Sequence, residues 1–365
     1  TLMATLLTSL APERSSARLI AFDSAPDFIG FTSDRAEWSE AARGFVAVAG
    51  GEVAAVVSPS IPVSDGFDSA IVSWNADTPG RSRVVLKLSA RVDQQWTQWY
   101  NLGLWHSGGC ELPRTSFRDQ DDDLGRVDTD ILVLKRRASE VRVRVDLHSD
   151  GVFSPTLRFL SLCLSKGDPA ASDEAARSSA WGRELDVPQL CQLSVPEGRP
   201  WCSPTSVAMV LGYWSRKLDR PDLTVTIPEV ARAVYDEAWG GTGNWTFNTA
   251  YAGSHVGIRA YVTRLESMVH LEQLISAGFP VVLSLDYNKL NRRATDRTMG
   301  HLVVARGFTR AGNVIINDPW AHLDKGETVR KIVARADVQN AWFGPSSSHG
   351  TVYLVHPHDL QPPLH

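Results

Sequence analysis

The chain has 365 residues, 43% of them hydrophobic and 21% charged, with a formal net charge of -4 at pH 7. That length exceeds what one ordinary core encloses, so two domains are expected. The acidic balance, with no basic stripe interleaved with aromatics, argues against nucleic-acid or anionic-lipid binding, and no run approaches the roughly 18 apolar residues of a membrane span.

Residues 3–10 are mildly apolar but lack a basic start and a small-residue cleavage site, so they do not read as an intact signal peptide. Residues 1–44 read as an extension leading into the first domain. The apolar stretch 45–57 is interrupted by Gly50, Gly51 and Glu52. From 45 to 165 the rhythm has period two. Val84, Leu86, Leu88, Ala90 and Val92 alternate with Val85, Lys87, Ser89 and Arg91, and Val141, Val143, Val145 and Leu147 with Arg142, Arg144, Asp146 and His148. Further strands are predicted at 70–74, 97–105, 131–134 and 157–164, with turns such as Thr78-Pro79-Gly80 between them. Several short strands so punctuated predict an all-β sandwich, a candidate binding module.

Five of the twelve tryptophans fall in this half: Trp38, Trp74, Trp96, Trp99 and Trp105. Buried, they fill a core; exposed, they can stack on sugar rings or anchor a partner. Strand alternation would put Trp96 and Trp99 on opposite faces. Asp119, Asp121, Asp123 and Asp130 fall at positions 1, 3, 5 and 12 of a calcium-loop pattern, but Leu124 stands where that loop requires glycine. A solvated acidic loop is expected there.

Residues 166–184, small and polar in their first part, read as a linker. Residues 185–365 have a mixed rhythm. Val207, Val210, Leu211 and Trp214 recur at i, i+3, i+4 and i+7, the mark of a helix with one buried face. Ser203 suits its N-cap and Pro204 its first turn, so Cys202 sits at a helix N-terminus, where free N–H groups favour a thiolate. Helical patterns follow at 228–238 and 265–277, the second stopped by Gly278 and Pro280, and strands at 281–285, 302–307, 314–317 and 352–355. A helix-rich stretch followed by a strand-rich one predicts an α+β domain.

Four cysteines (Cys110, Cys163, Cys191 and Cys202) are too few for a disulfide scaffold, and none has zinc-ligand spacing. Cys110 and Cys163 read as inert thiols, with a disulfide between them as the alternative, and Cys191 as a packing residue. Only Cys202 has an address suited to chemistry. Thiol catalysis needs a base that takes and returns a proton and a group that orients it. His301 opens the strand Leu302-Val303-Val304-Ala305, which turns at 309–313 into Val314-Ile315-Ile316 and ends at Asn317-Asp318-Pro319. Antiparallel pairing sets the start of one strand beside the end of the next, so His301 and Asp318 should lie within hydrogen-bond reach. Asn317 is the alternative orienting group, and Asp318 could instead serve only the turn before Pro319.

These residues resemble a known family. Val187-Pro188-Gln189-Leu190-Cys191-Gln192, the Cys202-Ser203-Pro204-Thr205-Ser206 helix start, Gly300-His301-Leu302-Val303 and Asn317-Asp318-Pro319 are similar to motifs of the C39-like cysteine peptidases, a papain-like group. The likeness spans roughly 185–355. It implies a papain-like peptidase domain with Cys202 as nucleophile, His301 as general base and acid, and Asp318 as orienting carboxylate. It also implies Gln192 as oxyanion donor, with the Cys202 backbone N–H. Trp201, Ser203, Gly300 and Trp245 are expected to border the substrate, and no cofactor or metal is implied. One departure is Ser203, which stands where such proteins usually have glycine. The best-known members trim double-glycine leaders while fused to exporters, a substrate not carried over to a chain without a membrane span.

The expected activity is peptide-bond hydrolysis through a thioester acyl-enzyme on a peptide or protein substrate. The alternatives are acyl transfer by the same triad, or an inactive binding protein. The β-rich half looks like sandwich modules attached to extracellular hydrolases, which suggests a glycan or cell-surface ligand. Compartment is left open, with a secreted or cell-surface location favoured over a cytoplasmic one.

Overall fold

The computed structural model describes residues 16–48, 53–167, 178–295 and 297–364. The signal-peptide reading of 3–10, the break at 50–52 and the middle of the proposed linker lie outside the described residues. The first half contains β1 (Ser16–Phe22), β2 (Thr32–Asp34), β3 (Ala36–Ser39), β4 (Gly44–Ala47), β5 (Val53–Val57) and β6 (Ile61–Asp77). It continues with β7 (Arg83–Val92), β8 (Gln95–Trp96), β9 (Tyr100–Trp105), β10 (Gly125–Asp128), β11 (Ile131–His148) and β12 (Thr156–Lys166). The alternation is realised as read: Val84, Leu86, Leu88 and Ala90 are fully buried on β7, as are Val141, Val143 and Leu147 on β11.

The hydrogen-bonding pattern differs from two separate sheets of short strands. All twelve strands join one array, because β6 and β11 are long and change partners along their length. The end of β11 pairs with β5 and β7, its start with β10 and β6, and register shifts between Val133 and Glu140 accommodate the change. Strands before residue 45, read as an extension, belong to this array: β1 pairs with β12 along its full length.

The second half is built on a six-stranded antiparallel sheet of β13 (Ile258–Arg264), β14 (Val281–Asp286), β15 (Gly300–Phe308), β16 (Val314–Asn317), β17 (Arg330–Val333) and β18 (Thr351–Pro357), in the order β13-β18-β14-β15-β16-β17. Its helices are α1 (Cys202–Leu218), α2 (Ile227–Ala233), α3 (Trp245–Ser254), α4 (Met268–Ala277), α5 (Tyr287–Leu290) and α6 (Arg335–Phe343). Helix α1 packs on β15, β14 and β18 and is buried from Ser203 to Ser215. Its N-cap is Trp201 rather than Ser203; the Ser203 hydroxyl is buried 2.9 Å from the Tyr353 hydroxyl. Helix α2 begins in a Thr226–Glu229 capping box, and α4 ends on Gly278 at φ 94°. Overall the molecule is mostly β with some helices, and no helix of the described residues is long and apolar enough to cross a membrane.

The two sheets meet. Asn75 on β6 donates through Nδ2 to the Ala260 carbonyl (2.8 Å) and accepts from its N–H (3.2 Å), and the Val262 N–H donates to Ser73 Oγ (3.0 Å). Phe247 of α3 packs with Trp74 and Trp105, both fully buried, and Gly103 leaves room for its ring. Asp130, expected in a solvated loop, is buried and accepts the Trp245 N–H at the start of α3 (2.6 Å). Nearby, Asp121 pairs with Lys135, and the adjacent Asp122 accepts from Tyr100 Oη (2.7 Å). Trp96 and Trp99 do not oppose one another, because β8 ends at Trp96; both rings face the Arg142 guanidinium, at 3.7 and 5.3 Å. The last residues of the expected linker are docked on β15, where the Gly182 N–H donates to the Phe308 carbonyl and the Arg183 carbonyl accepts the Phe308 N–H.

Candidate active site

Three elements converge at one end of the second sheet. Cys202 is the first residue of α1 and is partly exposed. His301 is the second residue of β15, in register with Leu285 of β14. Asp318 follows β16 directly, and its N–H donates to the Val329 carbonyl (2.8 Å). Pairing of β15 with β16 brings the last two together: His301 Nε2 donates to Asp318 Oδ1 at 2.7 Å, with both side chains buried. The same carboxylate oxygen accepts the Trp320 N–H (2.9 Å). With Nε2 so engaged, Nδ1 is the ring nitrogen left for Cys202, whose sulfur is close enough to raise the pKa of the imidazole. The Tyr287 ring lies against the imidazole, centroids 4.6 Å apart.

The electrostatics follow from these contacts. Burial pushes the Cys202 thiol up, but the hydrogen bond and charge of His301, with the backbone N–H groups of Leu302 and Ser203, outweigh it and hold the pKa below the ordinary thiol value. Burial pulls His301 down, yet its bonds to Asp318 and Cys202, and their charges, push it up to about 9. Asp318 is raised by burial and lowered further by His301 and Lys331, ending below the usual carboxylate value. Each group thus favours the charged form of the other, thiolate at Cys202 and imidazolium at His301.

Lys331 was not singled out from sequence. It sits on β17 opposite Ile316, and its Nζ reaches Asp318 Oδ2 at 2.7 Å. The carboxylate is thus held from both oxygens, by imidazole and by ammonium. Only the pairing of β17 with β16 creates this contact, so spacing along the chain gave no signal for it.

Gln192 requires a correction. Its Nε2 donates to the carbonyls of Gly198 (3.1 Å) and Arg199 (2.5 Å), while its buried Oε1 has no partner. Both amide hydrogens brace the loop before Cys202 and neither is free for an oxyanion. Asn317, the alternative orienting group, is also committed: Nδ2 donates to Pro188 O (2.9 Å) and Oδ1 accepts from Arg306 (3.1 Å). Of the residues expected to border substrate, Gly300 is exposed with open space around it, and the partly exposed Trp201 precedes Cys202. Ser203 faces the core, bonded to Tyr353, and Trp245 is partly buried at the contact between the sheets. The four cysteines are all unpaired, and Cys191 donates to the Ala321 carbonyl (3.1 Å).

Residues 184–346 match the Peptidase_C39 like family, and residues 40–165 match the peptidase C39 N-terminal domain. The C-terminal half is a member of the C39-like peptidase family, and the β-rich region before it is of the kind found in front of such peptidases. That membership points to cysteine-peptidase-type activity. No curated protein matches the chain. Among solved structures, a candidate C39-like peptidase from Bacillus anthracis is 20% identical, covers 48% of this chain and 97% of its own, and has a TM-score of 0.35. A family two carbohydrate esterase from Cellvibrio japonicus is 15% identical, covers 56% of this chain and 50% of its own, with a TM-score of 0.20.

Proposed function

We propose that the chain is a papain-like thiol peptidase with Cys202 as nucleophile, His301 as general acid and base, and Asp318 as orienting carboxylate. The thiolate attacks an amide carbonyl, and negative charge develops on the carbonyl oxygen. The Cys202 backbone N–H, which has no intrahelical acceptor at the first position of α1, receives that charge. A single preorganised donor of this kind supplies about 2.7–4 kcal/mol of transition-state stabilisation. The imidazolium then gives its proton to the departing amine, leaving a thioester. Neutral His301 next takes a proton from water, whose oxygen attacks the thioester carbon, and the acid product leaves Cys202 as thiolate.

The observation that carries this reading is the 2.7 Å His301–Asp318 bond beside a partly exposed cysteine at a helix start. Replacement Cys202→Ala is expected to abolish peptide cleavage while leaving the thermal midpoint near that of the native protein. Retained cleavage, or equal loss of fold and activity, would point to a structural cysteine.

A further inference from the structure

A cleft of about 660 Å³ adjoins the proposed triad. Its lining follows the chain on either side of the three residues: Arg199 and Pro200 just before Cys202, Met299 just before His301, Trp320 and His322 just after Asp318. Tyr287, whose ring meets that of His301 edge to face, and Arg293 complete it. Among the described residues that line it there is no carboxylate.

Two guanidinium groups stand over aromatic rings of this cleft. Arg199 lies 5.3 Å from the Trp320 centroid and Arg293 lies 5.1 Å from the Tyr287 centroid. Stacking of this kind holds the flat cation in place and leaves its N–H edges free, the geometry that receives a carboxylate in two parallel hydrogen bonds. Arg293 spends one weak contact on Asn288 Oδ1 (3.4 Å), and both arginines are exposed. Acids beside the cleft are occupied elsewhere: Asp318 by His301 and Lys331, Glu327 by the His322 N–H and Lys331, and Asp286 by the N–H groups of Asn288 and Met299.

We infer that the cleft selects peptides carrying acidic side chains next to the scissile bond, with Arg199 and Arg293 as the carboxylate-binding residues. The inference rests on the peptidase reading, but its test need not depend on turnover. Peptides that differ only in having Asp or Glu, Ala, or Lys in the central positions are titrated against Cys202→Ala by fluorescence anisotropy, and in parallel incubated with the active protein. Acidic peptides should bind about tenfold more tightly than their neutral counterparts at low salt, with the gap narrowing as salt is added. Charge reversal in the Arg199→Glu/Arg293→Glu double variant should transfer the preference to Lys peptides. Because both side chains are exposed, the thermal midpoint should stay close to that of the parent. Equal binding of the three series, no measurable binding, or an unaltered preference in the double variant overturns the acidic selectivity. Acidic peptides that bind selectively yet are never cut support the selectivity and instead sink the peptidase reading.

Discussion

The chemistry of this molecule is concentrated in a few side chains whose charges are set by one another. Cys202 is lowered and His301 raised because each stabilises the charged form of the other, and Asp318 is the hinge of the arrangement. Lys331 is a positioning residue, since its contacts are with the carboxylates of Asp318 and, more distantly, Glu327. Removing it by Lys331→Met leaves a buried carboxylate with one partner fewer, which costs about 1–3 kcal/mol of stability. It also raises the Asp318 pKa, so activity should begin to fail at a higher pH on the acid side than in the native protein. A purely structural role would lower stability without moving that limb, and Lys331→Arg should restore it in part. The His301–Asp318 contact was legible from sequence because a hairpin fixes which ends are neighbours. The Lys331 contact was not, because it needs a third strand whose partner the sequence does not declare. Gln192 was legible as a residue near the site but not in its orientation, which depends on where the carbonyls of Gly198 and Arg199 turn.

At the scale of elements, α1 and α4 were readable because their apolar positions repeat at helical spacing, and for α4 because Gly278 supplies a left-handed stop. Helix α3 escaped notice. Thr246 to Gly253 are buried on every side, so the segment has no polar face to create a period, and its only outward sign is Asn244, whose side chain accepts the Phe247 N–H. Strands β6 and β11 were found only in part, since Ser64-Asp65-Gly66 and Lys135-Arg136-Arg137 interrupt their apolar alternation while the backbone continues as strand. The loop into α1 carries a further constraint. A Cβ on Gly198 would lie 1.9 Å from the Gln192 carbonyl oxygen, so Gly198→Ala must displace the loop that delivers Cys202. We predict at least a tenfold drop in kcat/KM for this variant (about 1.4 kcal/mol), with a much smaller fractional change in the thermal midpoint. An unchanged rate would mean the loop's position does not matter to the site.

At the scale of the whole molecule, the β-rich half is packed against the C39-like half. Asn75, Ser73 and Asp130 satisfy backbone groups of β13 and α3, and Trp74 and Trp105 enclose Phe247. The core is continuous across the contact, which makes separate unfolding of either half unfavourable, since it would bare buried rings and leave buried polar groups without partners. Differential scanning calorimetry should therefore give one transition with matching calorimetric and van't Hoff enthalpies; two resolved transitions would show that the halves are energetically independent. Of the tryptophans that left a core role and a binding face both open in the sequence, Trp74 and Trp105 are spent on this packing, and Trp96 and Trp99 face Arg142.

The reactivity of Cys202 as a function of pH tests the central claim most directly, read as the rate of its alkylation by iodoacetamide and quantified by peptide mass spectrometry. A thiol pKa held below its ordinary value keeps more of the sulfur ionised as the pH falls, so near pH 6 Cys202 should be alkylated faster than an ordinary thiol, and His301→Ala should remove that advantage. A Cys202 rate that climbs only as the pH approaches about 8.5, and that is indifferent to His301, would contradict the account.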